Sequence, residues 1–329
     1  MIIDVHAHVL DDAYLAELAK AGTFGFERQA DGTYSVPGYG PFDPPIYRHE
    51  ERLQDLARRG VDVQLVSPVP TFLAWPGGAA DVAWSRRLNQ STAACVARSG
   101  GRFKGLATVP FGEPERAAYE LERAVGEHGF VGAEFPTYAG DRPLDHPSLD
   151  AIFTACERLG LIVFMHPTSA ETMERWEKFL LTTVLFWPHE TTRAVTRLIY
   201  SGVLERHPNF HLALAHGGGN LAFMQGRIDL GYTAPKYEYN ADAHEHIRRP
   251  PSTYYKQLFF DTAVGFPKAL RFLIDLVGAD RVVYGSDDPF EIADPKGEMA
   301  VPTVKALGKE VADKVLGGNL AKILAAQKR

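Results

Sequence analysis

The chain has 329 residues, of which 45% are hydrophobic and 23% charged, and 41 acidic against 35 basic side chains give it a net charge of −6. It has no basic stripe and no run of like charge, which speaks against nucleic acid and anionic membrane as partners. No apolar run approaches the roughly 18 residues of a membrane span, and the opening MIIDVHAHVL has neither a positive leader region nor a small-residue cleavage site, so a soluble, cytoplasmic protein is expected.

Taken in chain order, short β-rich apolar runs alternate with helical patterns. Strands are predicted at Ile2–His6, Val61–Ser67, Phe103–Val109, Val131–Phe135, Leu161–His166, Phe210–His216, Gln257–Asp261 and Arg281–Gly285. Runs such as LIVF and HLALA are continuously apolar, as parallel strands are when both faces are covered. Between them lie helical patterns. Glu50–Arg59 stops at Gly60, Asp81–Ser99 at Gly100, and Ser148–Leu159 at Gly160. Pro114 opens the Glu115–Glu127 pattern and Gly129 follows it, the expected asymmetry of proline inside the start and glycine past the end. Thr191–Glu205 stops before His207-Pro208, and Lys268–Val277 stops at Gly278. Eight strand–helix units predict an α/β fold, a single (β/α)8 TIM barrel over residues 1–329. An open doubly wound sheet is the alternative, but no GxGxxG follows the first strand.

Two stretches fit the barrel poorly. Thr23–Ile46 is rich in Gly, Pro and Tyr without periodicity, and Gly231–Thr253 is polar, with HEH and RRPP. Loops of this length are usually functional or part of an interface. The first is expected to cover the active site, the second to form a lid or subunit contact. Cys95 and Cys156 lie on separate helical segments and read as buried thiols of a reducing compartment.

The chemistry-bearing signal is Asp4-Val5-His6-Ala7-His8 at the end of the first strand. Side chains alternate along a strand, so His6 and His8 share a face and their imidazoles can converge on one ion. His166 ends LIVFMH, His216 ends HLALAH before three glycines, and Asp287 follows RVVYGS. Each terminates an apolar strand, where barrel active sites are built. Isolated histidine or aspartate there would cost free energy unless paired or metal-bound. Imidazole and carboxylate donors suit one divalent ion, zinc first and manganese second.

Together, DVHAH, FMHPT, LAHGGG and YGSDDPF resemble the amidohydrolase superfamily. More closely, the chain resembles the amidohydrolase 2 branch that contains α-amino-β-carboxymuconate-ε-semialdehyde decarboxylase, γ-resorcylate decarboxylase and oxalomesaconate hydratase. The likeness extends to RLQDLARRGVDVQLVSPVP, GLATVPF, PHETT and the final GNLAKIL. The resemblance implies His6, His8, His166 and Asp287 as metal ligands. It implies His216 as a proton-transfer residue, a mononuclear site, and a homodimer, and Asp287, beside the metal, is expected to relay a proton. A histidine beside the metal site can hold or move a proton near neutral pH.

Two departures matter. An arginine that contacts a substrate carboxylate in the aminocarboxymuconate enzymes falls at Gly40 here, and a tryptophan before PxETT falls at Thr183, with Phe186 and Trp187 close by. Aminocarboxymuconate semialdehyde itself is therefore not the expected substrate. Arg48 is a candidate to replace the lost arginine. Arg227 matches an arginine retained in the decarboxylases and is a candidate anion contact across a dimer interface. Glu134, ending VGAEF, and Trp187 complete the candidate substrate residues. Asp261, ending FFDT, reads as a supporting carboxylate rather than a ligand. His49, His146, His189, His207, His244 and His246 read as solvated or capping. The expected reaction is non-oxidative decarboxylation of a small aromatic or muconate-like acid. The alternative is a hydrolase or hydratase acting on a lactone, amide or enol acid.

Overall fold

The computed structural model describes residues 1–36, 40–69, 79–140, 142–168, 176, 178–234 and 242–327. Eight strands line up in one parallel sheet in chain order. They are β1 (Ile3–His8), β2 (Val63–Ser67), β3 (Phe103–Ala107), β4 (Gly132–Pro136), β5 (Ile162–His166), β6 (His211–Leu214), β7 (Leu258–Asp261) and β8 (Val282–Val283). The sheet closes between its last and first strands. The Val5 N–H donates to the Tyr284 carbonyl at 2.9 Å, the Asp287 N–H to His6 at 2.8 Å, and the His8 N–H to Asp288 at 2.9 Å. The result is a (β/α)8 barrel, as the alternation predicts.

The helix boundaries follow local chemistry. The helix Pro114–His128 has its proline at the first turn and ends at Gly129 in the left-handed conformation. His49–Arg59 carries Glu50 and Glu51 in its first turn and Arg58 and Arg59 in its last, complementing the helix dipole. Inside the barrel, Ile3, Val5, Leu65, Leu106, Ile162, Phe164 and Val283 pack together, with Leu320 and Ile323 of the helix Asn319–Ala325 closing one end. Each such side chain contributes on the order of 1.5–3 kcal/mol. Outside it, a larger cluster joins the alternate strand residues to the helices.

One irregularity positions the functional residues. β1 pairs Asp4 with Gln64 but Ala7 with Val66, so β1 spends one residue more than its partner. Because strand faces alternate, the extra residue swaps them. Ile3 and Val5 belong to the interior cluster, whereas Ala7 and Val9 belong to the outer one. His6 and His8 thereby take inward positions at the strand's C-terminal end.

The first insertion is structured rather than loose. Glu27–Arg28, Tyr34–Val36 and Gly40–Pro41 form a small antiparallel sheet, which the lack of periodicity in so short a run concealed. Phe26, Tyr34, Phe42, Ile46 and Tyr47 pack with Tyr14, Leu15 and Leu18 of the first helix, and Phe290 joins this cluster. In the second insertion, residues 235–241 lie outside the described residues. Around them, Ser252 bonds Asp229, Arg249 bonds Glu205, and Tyr232 meets His244 at 4.2 Å between ring centroids. Among the described residues, no helix is long and apolar enough to cross a membrane.

Candidate metal centre

His6 and His8 from β1, His166 from the end of β5 and Asp287 just past β8 converge, with one potential ligand atom from each lying within 4.8 Å of the others. His6 Nε2 stands 3.0 Å and His8 Nε2 3.3 Å from Asp287 Oδ1. These three atoms are buried and have no hydrogen-bond partner in proper geometry. The opposite ring nitrogens are all anchored. His8 Nδ1 donates to the Pro68 carbonyl at 3.1 Å and His166 Nδ1 to the Pro167 carbonyl at 2.9 Å. A carbonyl can only accept, so in both neutral rings the proton sits on Nδ1 and the Nε2 lone pair faces the cluster. His6 Nδ1 meets Asp261 Oδ2 at 2.7 Å, which orients its ring the same way.

The charges are consistent with a cation here. Burial opposes a charged His6, but Asp287 and Asp261 on either side outweigh it and push His6 up to about 10. Burial likewise opposes a charged Asp287, yet His6 and the hydrogen bonds around it hold the carboxyl well below its ordinary range. Burial, then neighbouring imidazoles, depress His166 strongly, and burial with the His6 charge depresses His8. Held between Asp287 and Asp261, His6 is the cluster imidazole that favours its positively charged form. Three imidazole nitrogens and one carboxylate oxygen fit a divalent ion, which would supply the positive charge itself.

His216 approaches the same carboxylate from the far side, with Nε2 3.5 Å from Asp287 Oδ2. Its Nδ1 is buried without a partner. Both His216 (φ 55°) and Asp287 (φ 59°) sit in the left-handed region that side-chain-bearing residues seldom adopt. The glycines after His216 are a steric requirement. A Cβ on Gly219, which also has positive φ, would collide with the Pro188 carbonyl. Asp261 ties the parts together: Oδ2 holds His6, while Oδ1 accepts from the Gly217 N–H at 2.7 Å and the Ala263 N–H at 3.1 Å.

A second polar network lies behind β1, and sequence reasoning did not single it out. Asp288, next to the candidate ligand Asp287, accepts from Arg59 at 2.9 Å and from Gln64 at 3.0 Å, with Arg52 3.5 Å away. Gln64 also donates to Asp4 and accepts from Arg52, and Ser286 donates to Asp4 at 2.6 Å. The polar positions of RLQDL carried the signal: an arginine on the inward face of an amphipathic helix needs a buried partner.

The candidate substrate residues divide. Glu134 is fully buried and faces inward on β4. Trp187 stacks on His216 at 6.4 Å and 14°, meets His166 at 5.8 Å, and has a buried Nε1 without a partner. Arg48 is exposed over the Tyr47 ring, and Arg227 is exposed on the helix Leu221–Thr233; neither is brought to the metal cluster. Of the six histidines expected to be solvated or capping, His146 caps a 3-10 turn, but two are buried. His49 bonds the Ile46 carbonyl, and His207 bridges Asp150 and Glu157. The partners of His207 lie beyond a local sequence window, whereas that of His49 is three residues before it.

A parallel barrel carrying three imidazoles and a carboxylate at its strand ends is the framework of a metal-dependent barrel enzyme. The chain belongs to the amidohydrolase family, whose model matches residues 3–325. It is 30% identical to the 2-amino-3-carboxymuconate-6-semialdehyde decarboxylase of Dictyostelium discoideum, covering 98% of this chain and 91% of that one. It is 29% identical to a γ-resorcylate decarboxylase of Rhizobium radiobacter over 74% of this chain and 78% of the relative. The same fold occurs in a dihydroxybenzoic acid decarboxylase from Polaromonas sp. JS666, with bound manganese and the inhibitor 2-nitroresorcinol. That match has a TM-score of 0.79 and 21% identity, and covers 100% of this chain and 98% of that one.

Proposed function

We propose that this chain is a metal-dependent carboxy-lyase that removes CO₂ without oxidation from a small aromatic or muconate-like carboxylic acid. The observation that carries this reading is the His216–Asp287 pair beside the four-donor cluster, in a chain whose relatives are named decarboxylases.

His6, His8, His166 and Asp287 would hold one divalent ion, zinc by preference and manganese as the second choice. When bound, that ion supplies positive charge to an anionic substrate and acidifies water. The chain's own groups move the proton. His216 Nε2 faces Asp287 Oδ2 and passes a proton to it. Asp287 delivers the proton to the substrate carbon that bears the carboxylate. The bond to the carboxylate then breaks, its electron pair stays with the skeleton, and CO₂ leaves. Trp187 forms an aromatic wall against the substrate ring.

The leaving carboxylate also needs a cation beyond the metal. Arg227 is the first candidate, supplied by a second copy across a homodimer interface. The exposed Phe223 and Leu230 flank it on the same helix face, at 83% and 63% exposure. Arg48 is the second candidate, within one chain. The barrel with its two insertions would act as one unit, in the cytoplasm.

The test is a screen of carboxylated aromatic and muconate-type acids for CO₂ release by metal-loaded protein in heavy-oxygen water. CO₂ release with no heavy oxygen retained in the product supports the lyase. Retained heavy oxygen without CO₂ would assign a hydrolase or hydratase instead.

A further inference from the structure

The buried carboxylates of this chain are well supplied with partners. Asp4 is bonded by Ser286, Gln64 and the His6 N–H. Glu120 is bonded by Arg123, Asn89 and Arg86. Asp294 is bonded by two backbone N–H groups, and Glu190 by both arms of Arg193. Asp287 Oδ1 faces the candidate ligands His6 and His8; among the remaining buried carboxylates of the described residues, Glu134 is the exception. It is fully buried, yet neither carboxylate oxygen has a hydrogen-bond partner. The Ser67 hydroxyl is near enough to favour its charged form but lies outside hydrogen-bond geometry. Among the described residues, no arginine or lysine is among the groups acting on it.

Its direction follows from register. β4 pairs Gly132 with Ile162 and Glu134 with Phe164, and both of those β5 residues belong to the interior cluster. Glu134 therefore points into the barrel. It is the last inward residue of β4 before Pro136, which pairs with the candidate ligand His166. The charges of His6 and Asp287 both reach it. An unpaired buried carboxyl is costly to keep, and here it faces the barrel interior within reach of the charges of the candidate metal centre.

We propose that Glu134 is a specificity residue that accepts a hydrogen bond from a hydroxyl or amino substituent on the substrate, and so selects acids that carry one. The acid itself rests on the function proposed above; the donor does not. Accepting needs only the free lone pairs that at least one oxygen keeps in either protonation state. A fluoro group at the same place would set lone pairs against lone pairs.

The experiment measures dissociation constants by calorimetry on manganese-loaded protein, with two probe pairs. The first is 2,6-dihydroxybenzoate against 2,6-difluorobenzoate. The second lacks the carboxylate: 2-nitroresorcinol against 2,6-difluoronitrobenzene. The wild type should prefer the dihydroxy member by about 10-fold, the upper end of what one hydrogen bond contributes. Glu134→Leu should bring that preference within about threefold, and Glu134→Gln, which keeps one acceptor, should retain part of it. Metal content should be unchanged. The thermal midpoint of the metal-free protein should hold or rise, because an unpaired buried carboxyl has been removed. Preference within the second pair but no binding of either acid would support the role of Glu134 and refute the acid reading. The proposal is overturned if the wild type shows no preference in either pair, if Glu134→Leu keeps the wild-type preference, or if the variant loses its metal.

Discussion

Replacing Asp261 with asparagine removes one oxygen acceptor from a carboxylate that serves three N–H donors: His6 Nδ1, Gly217 and Ala263. The amide can face either way, and each orientation leaves a distinct deficit. If its oxygen stays with Gly217 and Ala263, its NH₂ faces His6 Nδ1. The ring must then accept there and carry its proton on Nε2, the nitrogen aimed at the candidate metal. Loss of such a supporting partner typically costs about 10–100-fold in metal affinity, or about 1.4–2.7 kcal/mol. If the oxygen stays with His6, the NH₂ is set against two buried backbone donors, at about 1–3 kcal/mol each. In that case metal affinity holds and the fold loses stability, which in a chain of this length lowers the melting temperature by several degrees. Competition against a chelator reads the first deficit, and melting of the metal-free protein reads the second. An Asp261→Asn variant unchanged in both would refute the reasoning, because no orientation of an amide satisfies three donors with one oxygen.

His6→Ala and Asp287→Ala should each lose most of a bound divalent ion, expected at about one per chain from the one four-donor cluster among the described residues, as metal analysis after gel filtration would show. His216→Asn should keep the metal and lose rate by about 10²–10⁴-fold; metal loss in step with activity would make His216 a ligand. Burial opposes the charge of Glu120, but Arg123 and Asn89 hold its carboxyl below the ordinary 4.5. Its folded value lies below its unfolded one, so its stabilisation is present above pH 4.5 and is lost as pH falls through the folded value. Glu120→Gln should therefore cost about 1–3 kcal/mol at pH 7. That difference should shrink in urea denaturation at progressively lower pH, and a pH-independent difference would rule out the ion pair as its cause.

All eight barrel strands were legible, because parallel strands covered on both faces leave continuous apolar runs such as Ile162–Met165 and Leu212–Leu214. The four-donor cluster was legible because its members lie at or just past the C-terminal ends of three predicted strands. The bulge in β1 was not, since an extra residue between Asp4 and Ala7 leaves no mark on composition. The alternation rule correctly put His6 and His8 on one face but could not say which face. Arg48 was weighed as a site arginine on its position before the helix. Four residues on, Arg52 is the arginine that turns inward, donating to Gln64 and to the His8 carbonyl beneath the cluster. Its partners Gln64 and Asp288 lie on other strand ends, beyond any local window. The antiparallel sheet of the first insertion was hidden for a related reason: strands of two or three residues are too short to display a period.

The seam between β8 and β1 has a consequence for the timing of biosynthesis. His6 and His8 leave the ribosome well before Asp287, which faces them across the seam from the far side of seven further strands. For most of translation the two imidazoles have no carboxylate opposite them. A nascent chain halted before the eighth strand would offer histidines to any passing metal, without the fourth donor that discriminates among ions. The full set of four donors exists only once the final strand has docked, so a long-range contact of the fold sets when the centre can form.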